Sequence, residues 1–210
     1  MTTLLSGNDQ RFLCVVSELR VSDWARPSLC SDWTNHEVLA HLVHGCSASP
    51  AQFAARMGAT RGNFDAANTE LARELAERRS PTELIEDLRA LRDGPRGLGR
   101  LLPKRLLLGD HVLHELDIVF ALDRPSTVPG DVLAEVLDTQ VSIPNPFVPA
   151  RRRARDLNLC ATDIGWSRPG HPELGVVGSA ADLASVLAGR RHAMSRLHGP
   201  GVDLLGQRLR

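Results

Sequence analysis

The chain has 210 residues, 42% of them hydrophobic and 24% charged, and its 25 basic and 25 acidic residues cancel to a formal net charge of zero. That length is ample for a buried core, and the composition is that of a globular protein. The balance of charge argues against a polyanion or a membrane surface as partner, because no net field would steer one in.

No stretch approaches the roughly 18 uninterrupted apolar residues that a membrane span needs. The N-terminus shows no basic segment followed by a long apolar run, so no signal peptide is expected. Cys14, Cys30, Cys46 and Cys160 are scattered with no C-x-x-C pair and read as free thiols, and a cytoplasmic protein is expected. Among the 25 basic residues only Lys104 is lysine, a bias that speaks of genome composition and not of chemistry.

In chain order, the first helix is expected over about 8–20, with Phe12, Val15, Val16 and Leu19 on one face. A short turn broken by Pro27 follows. Thr34 is an N-cap whose capping-box partner is Glu37, and Val38, Leu39, Leu42, Val43 and Cys46 continue at helical spacing. Residues 51–79 carry a weakly amphipathic helical pattern. Ser80 caps the next helix, with Pro81 in its first position and Glu83 closing the box, and Leu84, Leu88 and Leu91 form its stripe. After a Gly-rich loop comes the apolar helix 106–122, then a helix around 131–139.

The character changes near residue 142. Pro144, Pro146, Pro149 and the run Arg151, Arg152, Arg153 and Arg155 read as an exposed linker. Residues 157–162 alternate like a strand, 166–172 are turn-like, and 174–177 are expected to pair back as a hairpin. Two short helices, 180–188 and about 192–198, complete the pattern. The expected architecture is a mainly α fold, with a helical bundle over 1–145 and a small α+β domain over 146–210.

The stretch GDHVLHELDI at 109–118 carries the chemistry. At about 100° per residue, Asp110, His114 and Asp117 fall within a wedge of roughly 60° on one helix face, and His111 points away from them. A carboxylate and an imidazole at i, i+4 can grip one metal ion. Polar groups inside an apolar helix are costly unless something pairs with them. Spacing alone fits equally a pair hydrogen-bonded between packed helices. A third ligand is available on the second helix, which offers His36, His41 and His44. His41 lies about 60° from its apolar stripe and His44 about 120°, so His41 is the better placed to look into the bundle. Cys30 has no base beside it in sequence and is not expected to be a nucleophile.

These residues resemble a family. SLCSDWT at 28–34 followed by EVLAHL at 37–42 resembles the second-helix signature of the mycothiol-dependent maleylpyruvate isomerase family, in the DinB-like superfamily. DHVLHELDI at 110–118 is similar to its metal-helix signature, and ATDIGWS at 161–167 and LAGR at 187–190 are similar to its C-terminal region. The resemblance implies a DinB-like four-helix bundle holding one divalent metal, zinc first, through His41, Asp110 and His114. It implies mycothiol as the thiol cosubstrate and Arg190 as a contact for a substrate carboxylate. The name-giving isomerase has glutamate where this chain has Asp110, one methylene shorter, and a C-terminal domain larger than 146–210.

The expected activity is thiol-assisted cis–trans isomerisation or S-transfer on a small electrophilic substrate, in a monomer or homodimer. Metal coordination would strip the proton from a thiol whose ordinary pKa is about 8.5, so no protein cysteine is needed. Asp117 is expected to hold a histidine in its correct tautomer, or to make a local structural hydrogen bond. The competing readings are a non-catalytic DinB-like metal-binding or stress-response module, and a metal-dependent hydrolase.

Overall fold

The helix-start signals are used as they read in the sequence. The computed structural model describes residues 4–30 and 33–209; the signature residues Ser31 and Asp32 lie outside the described residues, as do 1–3 and 210. The described chain runs α1 Leu4–Ser17, α2 Val21–Trp24, α3 Asn35–Ser47, α4 Pro50–Ala59, α5 Phe64–Arg78, α6 Pro81–Leu91, α7 Lys104–Ala121, α8 Gly130–Ser142 and α9 Ala150–Arg153. Then come β1 Asn158–Ala161, β2 Ser167–Arg168, β3 Gly175–Gly178, α10 Ala180–Leu187 and α11 Val202–Gln207. No described helix is long and apolar enough to cross a membrane.

Both capping boxes form. Thr34 Oγ1 accepts from the Glu37 amide at 3.2 Å while Glu37 Oε2 accepts from the Thr34 amide at 2.7 Å. Ser80 and Glu83 repeat the arrangement at the start of α6. Each box satisfies two amides that a helix N-terminus otherwise leaves unpaired. The helical pattern at 51–79 is broken in two at Arg61 and Gly62, both with positive φ, 53° and 79°. Glycine adopts that backbone at little cost, so the chain turns there and restarts under the Asn63 cap.

Two compact units result, Met1–Arg124 and Pro125–Arg210. In the first, α1, α3, α6 and α7 form a four-helix bundle: α1 packs on α6 and α7, and α3 packs on the same two. Its core joins Phe12, Leu13 and Val16 to Val38, Leu39 and Leu42, with Leu84, Leu88 and Ile118. α5 packs on α3. α7 is buried at nearly every position from Leu107 to Phe120, which is why its sequence is apolar on all sides.

In the second unit α8 packs on α9 and α10. The sequence grouped this helix with the bundle, within 1–145. Its stripe of Val132, Leu133, Val136 and Leu137 is instead buried in the unit that begins at Pro125. The sheet order is β2-β1-β3. The expected hairpin is not formed: β3 runs parallel to β1, with Leu159 opposite Val176, and the antiparallel neighbour of β1 is the two-residue β2 inside the turn-like stretch. The one-turn 3-10 helix Pro172–Leu174 redirects the chain between β2 and β3. The segment expected as a helix over 192–198 is a 3-10 helix, Arg191–Arg196.

Candidate metal centre

α3 and α7 pack against each other, and each presents histidine to the other. The Thr34 cap sets the phase of α3, which puts His41 two turns on and facing α7. His41 Nε2 stands 3.7 Å from one oxygen of Asp110, and His114 Nε2 stands 3.6 Å from the other. The donor atoms of His41, Asp110 and His114 all lie within 4.8 Å of one another. These separations exceed a good hydrogen bond. Atoms bound at about 2.0–2.1 Å around one tetrahedral zinc stand roughly 3.3–3.4 Å apart, so the set is spaced for a shared ion.

The imidazoles are held differently. His114 Nδ1 is 3.1 Å from Asp117 Oδ2, which places the proton on Nδ1 and leaves the Nε2 lone pair toward Asp110. His41 Nδ1 is buried with no hydrogen-bond partner among the described residues. Its ring lies instead against Trp33, centroids 4.8 Å apart, and edge-on to His114 at 4.8 Å.

Burial lowers the His41 pKa, against the opposing pull of Asp110, so the imidazole is a neutral lone-pair donor at pH 7. Burial would raise the Asp110 carboxyl, but the contact with His41 and the charges of His114, His41 and His111 outweigh it and hold it well below the usual carboxylate range. Asp110 is thus anionic, and its side chain remains 42% exposed, which leaves one edge of the centre in contact with solvent. Two imidazoles and one carboxylate match the open three-ligand set of catalytic zinc and leave a fourth position. These residues fit a divalent ion.

The remaining candidates separate cleanly. His36 Nε2 contacts the Arg79 carbonyl oxygen at 2.9 Å and tethers α3 to the end of α5. Burial and the neighbouring His41 push His44 down to about 4, and its Nε2 has no described hydrogen-bond partner. His111 turns away from the centre, toward α1 and the far end of α3, with Nδ1 2.8 Å from Asp9 and Nε2 3.5 Å from the Cys46 sulfur. Arg190 belongs to the second unit, where it precedes the 3-10 helix Arg191–Arg196 and donates to the Ala188 carbonyl at 3.0 Å.

Two further neighbours stand at the centre, one of them Cys30, for which the sequence showed no base nearby. The Cys30 sulfur comes within 4.8 Å of donor atoms of His114 and Asp117, brought there by a loop whose Leu29 amide donates to the Asp117 carbonyl at 3.1 Å. Trp33 reaches both imidazoles from just before the Thr34 cap. Neither has a spacing signal, because the approach is made by a non-helical loop. A cavity of about 800 Å³ lies elsewhere in this unit, lined by Leu5, Gln10, Arg92, Arg100 and Lys104, and takes in none of the three donors.

No curated protein matches the chain. Two solved structures match: mycothiol-dependent maleylpyruvate isomerase, at 15% identity and a TM-score of 0.45, and a histidine-to-alanine mutant of it, at 16% and 0.47. Each alignment covers 90% of this chain and 88% of the other. Residues 6–96, from α1 through α6 and including His41, match the family model of the mycothiol maleylpyruvate isomerase N-terminal domain.

Proposed function

We propose that the chain is a metal- and mycothiol-dependent enzyme of the maleylpyruvate isomerase family, acting by thiol-assisted isomerisation or S-transfer on a small electrophile. The observation that carries this reading is the pair of imidazole Nε2 atoms facing the two oxygens of Asp110 at 3.7 and 3.6 Å, without hydrogen-bond geometry to either. His41, Asp110 and His114 would hold a divalent ion, zinc being the best suited to this donor set. When bound, such an ion lowers the pKa of a thiol and so supplies a nucleophile at neutral pH.

The side chains do the rest. Asp117 keeps the His114 proton on Nδ1 and so keeps Nε2 available. Asp110 brings a negative charge that keeps the centre's net charge low, and its exposed edge marks the approach. Buried Trp33, against both imidazoles, excludes bulk water from that side of the site. Arg190 is proposed as the contact for a substrate carboxylate, on the sequence resemblance alone.

The test is metal content followed by thiol dependence. Purified protein never exposed to chelator should carry about one divalent ion per chain. Turnover of an electrophilic substrate should require added mycothiol. Activity that persists without any thiol would replace this reading with a hydrolase. Absence of metal from such protein would remove it altogether. Arg190→Ala should raise KM for a carboxylate substrate and leave the metal in place.

A further inference from the structure

We propose that Trp33 is the positioning residue for both ligand imidazoles, taking the place of the hydrogen bond that His41 lacks among the described residues. The proposal rests on the metal reading above. A metal-bound histidine ordinarily donates its second ring N–H to an outer partner, which fixes both tautomer and ring plane. His114 has this in Asp117. His41 has no such partner among the described residues, although its Nδ1 is buried. Something else must fix its ring plane.

Trp33 is placed to do so. Its ring centroid is 4.8 Å from His41 and 5.8 Å from His114, tilted by 39° and 35°. The two imidazoles meet edge-on, at 71°. The three rings therefore pack together, and the indole restricts the ring plane of His41 most and that of His114 less. Trp33 is only 8% exposed and is itself tied down. Its indole N–H donates to Thr69 Oγ1 on α5 at 3.2 Å, its amide donates to the Cys30 carbonyl at 3.2 Å, and its carbonyl accepts from the Ser28 amide at 2.9 Å. The indole face also favours an imidazole made electron-poor by an ion, as ring quadrupoles favour positive charge. A buried aromatic thus supplies orientation that elsewhere comes from a carboxylate or carbonyl.

Zinc titration of the metal-free full chain tests this, with wild type, Trp33→Leu, Trp33→Phe and Thr69→Val run together and the urea midpoint of each metal-free protein measured alongside. Trp33→Leu should weaken zinc binding about 10–100-fold, the loss expected of an outer partner. Trp33→Phe, which keeps a ring, should recover most of it, although both variants lose indole packing and fall in urea midpoint. A chain carrying Trp24→Phe and Trp166→Phe should change its remaining indole emission on adding zinc. Wild-type affinity in Trp33→Leu overturns the proposal and leaves the metal reading standing; no zinc bound by wild type overturns both. If Trp33→Leu does not fold, Thr69→Val decides: weaker binding supports the role, and unchanged binding overturns it.

Discussion

Two faces of α7 present nearly the same residue types to their neighbours, and they are finished differently. On one face Asp110 and His114 meet His41 at distances too long for hydrogen bonds, with the buried His41 Nδ1 unpartnered among the described residues and a half-open carboxylate. On the other, His111 sits 2.8 Å from Asp9, both side chains 2% exposed, with the Cys46 sulfur closing the second ring nitrogen. One turn on, Glu115 takes both terminal nitrogens of Arg11, and Asn8 shares one of them. Burial raises the Glu115 carboxyl and Arg11 opposes it. The sealed face has a nucleophile, a base and a carboxylate in line, all three buried. Titratable groups paired with each other in a closed core mark structure, and imidazoles held off a half-exposed carboxylate mark a candidate site.

The largest effect that would break this contrast is loss of metal. His41→Ala, His114→Ala and Asp110→Ala should each lower zinc affinity by orders of magnitude, whereas His44→Ala should retain it; elemental analysis of the purified variants checks this. Metal lost in His44→Ala and kept in His41→Ala would reverse the assignment of faces on α3. Next in size is the sealed face. Asp9→Ala strips a buried imidazolium of its partner and should cost about 3–5 kcal/mol in urea unfolding, the range for breaking a buried pair. A loss under about 1 kcal/mol would mean the network is no firmer than a surface pair.

Smaller effects sharpen the comparison. Asp117→Asn keeps the shape beside His114 but weakens its hold on Nδ1, and should reduce zinc affinity about 10–100-fold with little change in fold stability. The sealed face should also leave a mark on pH dependence. Burial opposes charge on His111, but Asp9, helped by Cys46, wins and raises its pKa well above 6.5. A folded-state value above the unfolded one means the stabilisation is fully present below about pH 6.5 and fades as pH rises through the folded value. Unfolding free energy of metal-free wild type should therefore fall on the alkaline side, and Asp9→Asn should flatten that fall. Equal slopes in the two proteins would place the titration elsewhere.

Much of the bundle was legible because its signals are local. Thr34 with Glu37, and Ser80 with Pro81 and Glu83, announce helix starts through contacts made within four residues. The wedge shared by Asp110, His114 and Asp117 follows from helical periodicity alone. What faces that wedge does not. Three histidines on α3 differ by 100° steps, and only the packing of α3 on α7 puts the His41 ring beside Asp110 while His36 goes to Arg79. Asp9 and Cys46 gave no sign in sequence of a partner on α7.

The C-terminal unit shows the same limit in another form. Alternation marked 157–162 and 174–177 as strands, but whether the second pairs antiparallel or parallel depends on the path between them, and the turn at Pro172–Leu174 makes it parallel. The apolar stripe of α8 was plain, but a stripe says that a helix covers something and not what it covers; α10 is its partner. Capping and periodicity are set by dihedral preference and side-chain reach within a turn or two, so the chain states them residue by residue. Which buried face meets which, and hence whether a histidine gains a carboxylate, an indole or a thiol, is decided by the packing of elements distant in sequence, where many pairings bury similar apolar area and only the assembled core selects one.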